Sequence, residues 1–307
     1  MRYSDEPFGP GPMRRLSLWQ PDQAAAGVIL LIHGLTEHIG RYEKFARFMT
    51  ARGLAVAGFD LPGHGKAILK VDGMPRPGYL GPEGSWKSVV KLLDLALEEI
   101  KQLLPGCPVY LLGFSLGSFL ARAWLIEKEQ AKDPLPIRGL LLVGTGDQGA
   151  GVLGLVRALI RRECRRHGEY NTTLLVQSLA VENYNRYFRG EHSSSAWLLA
   201  DPDARREYEQ DPLCCRTISA GLFRELLSCM IFAAKQETAY RRPIPVSFLS
   251  GAQDPVGEQG KGVRRAAARF WGAEVNFVPG RHDILHDVQA EEVFKTIYKV
   301  LENSKCG

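Results

Sequence analysis

The sequence predicts an α/β fold in which a mostly parallel, doubly wound sheet carries an inserted helical cap. Three observations lead to this prediction. Short apolar runs recur along the chain, helical patterns lie between them, and one long stretch in the second half has a helical composition with few strand-like runs. Alternation of strands and helices is typical of a parallel sheet with helices packed on it.

The apolar runs are predicted to be buried strands. Near-continuous apolar strands are typical of a parallel sheet that is covered on both faces, because neither face of such a strand meets water. In chain order the predicted strands are residues 28–32, 54–59, 109–113, 137–143, 246–249 and 274–278.

Helices are predicted at 86–104, 116–128 and 291–301, where apolar residues are interleaved with charged ones. Residues 145–240 interrupt the alternation and are too many for a plain loop. We therefore predict a core formed by residues 1–144 and 241–307, with residues 145–240 as a helical cap. A separate helical domain that merely follows a strand is the alternative.

Composition and charge exclude several classes of protein. The chain has 307 residues, of which 45% are hydrophobic and 24% charged, as in soluble globular proteins. No apolar run is long enough for a membrane-spanning helix, and the first residues lack the apolar core of a secretory signal. A net charge of +5 is too small to imply nucleic acid. The six cysteines form no C-x-x-C pair, so we expect no zinc site and a reducing, cytoplasmic setting.

Gly113-Phe114-Ser115-Leu116-Gly117 lies between a predicted strand and a predicted helix. A G-x-S-x-G string alone is weak evidence, but this strand–turn–helix context is the one in which the motif carries a nucleophilic serine. The tight turn holds the serine in a strained conformation above the sheet, and glycines on both sides relieve crowding. We predict Ser115 as the nucleophile.

A serine hydroxyl needs a base to act as a nucleophile, and the base needs an orienting carboxylate. Asp254 and His282 each follow a predicted strand, where the sites of α/β proteins assemble, and they come after the serine in the expected chain order. His286 is the competing base and Asp147 the competing acid. We favour Asp254 and His282 because of their position just beyond a strand end.

The oxyanion of a tetrahedral intermediate needs backbone N–H donors. One should be the N–H of Leu116, the residue after the nucleophile, and the other the N–H of Leu35, in the loop that follows the first predicted strand.

These motifs together resemble the α/β-hydrolases, and more narrowly the branch of monoacylglycerol lipases and lysophospholipases. Besides the serine motif, the resemblance rests on segments 33–38, 40–42, 60–65, 251–257 and 280–285. It implies a triad of Ser115, Asp254 and His282, oxyanion donors at Leu35 and Leu116, and a cap over an acyl-binding pocket. Lys66 and Ala67 depart from the family pattern, which often has serine after Gly65.

The expected function is a serine carboxylester hydrolase acting on monoacylglycerol or lysophospholipid, with no metal and no organic cofactor. The alternatives are a peptidase with the same triad and a catalytically silent binding module. The cap segment contains apolar residues beside Arg157, Arg161, Arg162, Arg165 and Arg166. A basic amphipathic helix of this kind could contact a lipid surface, although a solvated helix face explains the pattern as well.

Overall fold

An eight-stranded sheet forms the centre of the protein in the computed structural model, which describes residues 1–9, 14–215, 217–237 and 244–303. Strands are β1 (Arg2–Pro7), β2 (Arg15–Gln20), β3 (Gly27–Ile32), β4 (Leu54–Phe59), β5 (Leu69–Val71), β6 (Met74–Arg76), β7 (Val109–Phe114), β8 (Gly139–Val143), β9 (Val246–Gly251) and β10 (Glu274–Val278). The sheet order is β1-β2-β4-β3-β7-β8-β9-β10, and β5 and β6 form a separate hairpin. The six neighbouring strands β4, β3, β7, β8, β9 and β10 are parallel to one another, which agrees with the predicted fold class.

Helices cover both faces of this sheet. They are α1 (Glu43–Thr50), α2 (Ser85–Leu103), α3 (Leu116–Ala131), α4 (Ala150–His167), α5 (Leu174–Gln177), α6 (Asn183–Asn185), α7 (Pro202–Gln210), α8 (Ala220–Gln236), α9 (Lys261–Ala267) and α10 (Ala290–Asn303). Short 3₁₀ turns occupy Ile39–Tyr42 and Arg186–Phe188, and a π-helical turn occupies Ser178–Glu182.

Alternate residues of β3 face two different cores, which explains why the strand is apolar throughout. Leu30 belongs to the core that includes α2, α3 and α8, whereas Leu31 belongs to the core that includes α1 and α10. Every residue of β3 is buried. A strand covered on both sides must be apolar at consecutive positions, because side chains alternate between the two faces.

Strands β1 and β2 were not among the strands predicted from the sequence. Strand β1 pairs antiparallel with β2, and β2 pairs antiparallel with β4. Strand β1 has the sequence RYSDEP and is exposed or half-buried along its length, because it forms the edge of the sheet. An edge strand of this composition lacks the apolar run by which the inner strands were recognised.

The segment between β8 and β9 contains the helices of the predicted cap. Helix α8 packs along α4, but it also contacts α2 and α3 of the core. Glu225 of α8 accepts hydrogen bonds from the N–H groups of Gly84 and Trp86, at 2.9 and 3.2 Å, and so caps the start of α2. The last helix of the predicted cap is therefore joined to the core by packing. The domain boundaries themselves stay a prediction.

Within the part of the chain that the structure describes, no helix is both long and apolar enough to cross a membrane.

Candidate active site

Ser115 occupies a sharp turn between β7 and α3. Its backbone has φ 49° and ψ −115°, a conformation that is strained for a residue with a side chain. The flanking glycines are required by close backbone contacts: a Cβ on Gly113 would lie within 3 Å of the Ser118 backbone, and a Cβ on Gly117 within 3 Å of the His33 carbonyl oxygen. The turn thereby places the serine side chain beyond the end of the strand.

Three side chains from distant parts of the chain form a hydrogen-bonded relay. His282 Nε2 lies 2.8 Å from Ser115 Oγ, and His282 Nδ1 lies 2.9 Å from Asp254 Oδ1. The Asp254 carboxylate also accepts hydrogen bonds from the Val256 N–H and the Ser250 hydroxyl, at 2.8 and 3.3 Å. Because the carboxylate accepts from Nδ1–H, the Nε2 atom is left as the acceptor for the serine hydroxyl. The structure thus brings together the three residues that the sequence analysis selected.

The loops that carry Asp254 and His282 are pressed against each other at Gly251. A Cβ on this residue would lie 2.6 Å from the carbonyl oxygen of Gly280, too close for any side chain. The backbone is tied across the same point, since Gln253 N–H donates to the Gly280 carbonyl at 3.0 Å. Glycine at position 251 therefore allows the two loops to approach closely enough for the carboxylate to reach the imidazole.

The two competing residues take part in other contacts. His286 Nδ1 lies 2.7 Å from Asp283 Oδ1, and its ring packs edge-on against Tyr42. Asp147 accepts a hydrogen bond from Arg269 at 2.6 Å. Neither residue joins the relay at Ser115. Burial acts to raise the pKa of Asp283, but the nearby His286 and Arg41 outweigh it and lower the pKa to about 2.

The loop after β3 is held by two buried groups. His33 Nδ1 lies 2.8 Å from the Gly34 carbonyl oxygen, and His33 Nε2 accepts the Leu61 N–H at 2.9 Å. Burial lowers the pKa of His33, so the ring is neutral and donates through Nδ1. Glu37 accepts the Gly34 N–H at 2.6 Å. Among the described residues, the N–H groups of Leu35 and Leu116 donate no hydrogen bond, which leaves both available to a bound oxygen.

Buried charges connect this loop to the loop that carries His282. Arg41 pairs with Glu37 at 2.5 Å and with Asp283 at 3.2 Å. Burial acts to lower the pKa of Arg41, but Asp283 and Glu37 outweigh it and raise the pKa, so the guanidinium stays charged. A hydrogen-bonded buried pair fixes geometry strongly, because a misplaced charge would be left without a partner.

Two cavities meet at Ser115. The larger has a volume of about 170 Å³ and is mostly apolar, with walls from α3, α4 and α8 that include Phe119, Leu153, Val156, Phe223, Leu227 and Met230. The smaller, of about 60 Å³, also contains His282 and has the neutral polar side chains Thr36, Gln177, Ser194, Ser195 and Tyr208 in its walls.

Several residues at the site were missed by the sequence analysis. Trp197, Leu198 and Tyr208 lie in a cap segment to which it assigned no chemistry, yet all three line the smaller cavity with Ser115. The Trp197 and Leu198 carbonyls accept the N–H groups of His282 and Asp283, at 3.4 and 2.8 Å. No local pattern marks these positions, and the only available signal was an unexplained tryptophan and tyrosine.

Comparison with known proteins places this fold and site in a class. Residues 23–289 match the family described as serine aminopeptidase, S33, and the chain therefore belongs to this family. The resemblance to the monoacylglycerol lipase branch of the α/β-hydrolases is confirmed, and the protein is a hydrolase of the carboxylic ester kind.

Similar individual proteins include lipases and a phospholipase. Phospholipase YtpA of Bacillus subtilis is 24% identical over 288 residues, which cover 90% of this chain and 95% of the relative. Monoglyceride lipase of Mus musculus is 23% identical over 288 residues, covering 92% and 83%.

Solved structures agree with the fold. A thermostable carboxyl esterase from Bacillus coagulans, in complex with glycerol, is 20% identical with a TM-score of 0.83, covering 99% of both chains. Monoglyceride lipase from Saccharomyces cerevisiae, in complex with a substrate analog, is 16% identical with a TM-score of 0.72, covering 99% and 96%.

Proposed function

We propose that this hydrolase cleaves monoacyl lipid esters, monoacylglycerol or lysophospholipid, through an acyl-enzyme on Ser115. The observation that carries the proposal is the hydrogen bond between Ser115 Oγ and His282 Nε2, 2.8 Å long, where a mostly apolar cavity meets a second cavity that has several polar side chains in its walls. Phospholipase and monoglyceride lipase relatives support the substrate class.

The relay supplies the chemistry of acyl transfer. His282 Nε2 takes the Ser115 proton as the hydroxyl oxygen attacks the ester carbonyl, and Asp254 stabilises the imidazolium that forms. The imidazolium then protonates the departing alcohol, which leaves the acyl group on the serine. Water, deprotonated by the same imidazole, attacks this ester and releases the fatty acid.

The N–H groups of Leu35 and Leu116 donate hydrogen bonds to the negatively charged oxygen of the tetrahedral intermediate. Each is a backbone donor that has no acceptor among the described residues, and Leu116 is the first residue of α3, where the helix dipole favours negative charge. Donors that are already oriented need no reorganisation when the charge develops. None of these steps requires a metal or an organic cofactor.

The two cavities divide the substrate into its acyl and alcohol parts. The larger one suits an acyl chain, because its walls are mostly leucine, valine, phenylalanine and methionine. The smaller one is lined by His282, the group that protonates the alcohol, and by Gln177, Ser194 and Ser195, whose side chains can hydrogen-bond a polar head group. A monoacyl ester has the matching distribution of apolar and polar parts.

A peptidase with the same relay is the second candidate. An aminopeptidase should hold the substrate ammonium with an acidic side chain near the serine. No aspartate or glutamate is among the described residues that line either cavity at Ser115. A buried ammonium without a carboxylate would be unfavourable, so ester hydrolysis is the better supported reaction.

The cap also suits contact with a lipid surface. Leu155 on α4 and Leu174 on α5 are 74% and 90% exposed. Arg162, Arg165 and Arg166, on the C-terminal half of α4, are exposed as well. Exposed apolar side chains combined with arginines favour binding to an anionic membrane surface. We propose this contact as the route by which the enzyme collects its substrate. We also propose that the enzyme is located in the cytoplasm.

Labelling with a fluorophosphonate probe tests the proposed nucleophile. We expect a single modified residue, Ser115, in the unaltered protein and no label in Ser115→Ala. Ser118→Ala is the matched control, because Ser118 is a second serine one turn away. Its hydroxyl already donates a hydrogen bond to the Ser115 carbonyl at 2.6 Å, so we expect no label on it. A label that persists in Ser115→Ala would overturn the assignment.

Rates on two series of substrates test the substrate class. We expect hydrolysis of glycerol monoesters and lysophospholipids with long acyl chains, and little turnover of aminoacyl amides. A sharp preference for two-carbon acyl groups, or faster turnover of the amides, would contradict the proposal.

A further inference from the structure

Residues at the end of cap helix α7 form hydrogen bonds with the loop that carries Leu35. The Tyr208 hydroxyl lies 2.7 Å from Thr36 Oγ1, and the Asp211 carboxylate lies 2.8 Å from His38 Nε2. Tyr208 and Thr36 are 6% and 9% exposed, so their hydrogen bond is shielded from water. The cap and the proposed oxyanion loop are therefore linked through two polar contacts.

The direction of the hydrogen bond between Tyr208 and Thr36 follows from the single proton that each hydroxyl group carries. Thr36 Oγ1 donates to the Leu35 carbonyl oxygen at 2.6 Å, which uses its only proton. The hydroxyl of Tyr208 must therefore donate to Thr36 Oγ1. Burial raises the pKa of Tyr208, so the phenol remains protonated and able to donate. The result is a chain from the Tyr208 hydroxyl, through the Thr36 hydroxyl, to the Leu35 carbonyl.

This chain fixes one side of Leu35, and His33 fixes the other. In a trans peptide the C=O and N–H of one plane point in opposite directions. His33 donates to the Gly34 carbonyl, so the Leu35 N–H of that same plane points away from His33. The following plane, which contains the Leu35 carbonyl, is held by Thr36 and, through it, by Tyr208. The two planes join at the Leu35 Cα atom, so fixing both of them limits the directions that the Leu35 N–H can take.

The backbone of Thr36 is strained, and the hydrogen bond from Tyr208 helps to hold it in place. Its φ is 61°, in the left-handed region, where a β-branched residue is uncommon and strained. Such a conformation persists only where surrounding contacts hold it. The Tyr208 hydroxyl is one of these contacts, and the tyrosine ring is itself placed beneath the Arg41 guanidinium, 5.1 Å from the ring centroid.

We propose that Tyr208 is a positioning residue for the oxyanion hole, so that docking of cap helix α7 completes the catalytic site. The inference rests on the proposed function, because it takes the Leu35 N–H as an oxyanion donor. It adds that the cap determines the reaction rate as well as the access of substrate. Movement of α7 alone away from the loop would leave the hydrogen bonds among Ser115, His282 and Asp254 intact but the oxyanion hole misaligned.

A double-mutant cycle on Tyr208→Phe and Thr36→Val tests the proposal. Each change removes one hydroxyl and keeps the shape of the side chain. We expect kcat to fall about 10- to 100-fold in each variant, with KM changed less than about twofold, because misaligned donors lower the rate without weakening substrate binding. The double variant should be no slower than the slower single variant, since both changes break the same chain.

Two further variants complete the test. Thr36→Ser keeps the hydroxyl and should restore kcat, whereas Tyr187→Phe, at an exposed cap tyrosine, should leave it unchanged. Losses that add in the double variant, a change confined to KM, or an unaltered kcat would overturn the inference. Failure of the proposed function is distinguishable, because hydrolysis would then survive in Ser115→Ala whatever the Tyr208 variants do.

Discussion

The indole of Trp197 lies against the imidazole of His282, with ring centroids 5.2 Å apart and planes inclined by 30°. Phe114, the last residue of β7, contacts the same imidazole at 5.2 Å. Aromatic contacts of this kind favour a fixed ring orientation. The imidazole is thus held by neighbours from the cap and from the sheet, independently of its hydrogen bond to Asp254.

Because these rings hold His282 in place, Asp254→Asn should separate the charge of Asp254 from its role in positioning. An amide in this position stabilises the wrong tautomer and no longer stabilises the imidazolium. We expect kcat to fall by about 10⁴ with the fold unchanged, measured by steady-state kinetics and thermal melting. Asp147→Asn, at the competing acid, should keep full kcat, and the reverse pattern would refute the choice of Asp254.

Gly117→Ala should damage both the fold and the activity. The added Cβ would meet the backbone of Ile32, the last residue of β3, and of His33, which follows it, and Ile32 cannot move without disturbing the sheet. Overpacking of this kind costs about 1–3 kcal/mol of unfolding free energy. Gly154→Ala is the control, because a Cβ there meets nothing within 4 Å and alanine favours the helix. Denaturant titration of both variants measures the difference, and equal stabilities would contradict the close contact.

Acid should destabilise the protein through His64. Burial, followed by the effect of neighbouring His33, lowers the pKa of His64 from 6.5 to about 4. Between these pH values the unfolded chain binds a proton that the folded chain does not, so stability falls as the pH drops from 6.5 towards 4. The unfolding free energy lost over this pH range through His64 is about 3 kcal/mol. Unfolding free energies at pH 7 and pH 5 should differ less in His64→Gln than in the unaltered protein or in His192→Gln, where the side chain is exposed.

Filling the larger cavity should shorten the preferred acyl chain. Met230 of α8 lines this cavity and is 6% exposed. Met230→Trp should lower kcat/KM for twelve-carbon esters relative to four-carbon esters by roughly tenfold or more, because lost apolar contacts accumulate with each methylene. Met74→Trp, at an exposed hairpin residue, should leave the ratio unchanged. An equal loss on both esters would argue against an acyl chain in this cavity.

Removing exposed apolar side chains from the cap should weaken contact with lipid. The double variant Leu155→Gln/Leu174→Gln should bind anionic vesicles at least several-fold more weakly, because each leucine contributes up to about 1.5–3 kcal/mol when it is fully buried in the membrane. Hydrolysis of a dissolved short-chain ester should not change. Trp271→Gln removes an 83% exposed side chain near α9 and serves as the control. Vesicle sedimentation measures binding, and equal weakening by the control would remove the cap from the interaction.

The cap helix α4 illustrates what the sequence could and could not predict. Its apolar residues and its helical character were evident, but not which leucines face inward. The structure places Leu153 and Ile160 in the core, whereas Leu155 and Leu159 are exposed. An amphipathic pattern defines a face only when the partner surface is known, and that surface comes from α8, far along the chain.

The sequence by itself determined the parallel sheet and the positions of Ser115, Asp254 and His282 at strand ends. Those features are written in short stretches, because apolar runs and the G-x-S-x-G turn have local physical causes. Only the tertiary structure decided that His282 rather than His286 reaches Ser115, and that Tyr208 contacts the loop of Leu35. Residues separated by 172 positions meet through packing of the whole chain, and no local pattern records that contact.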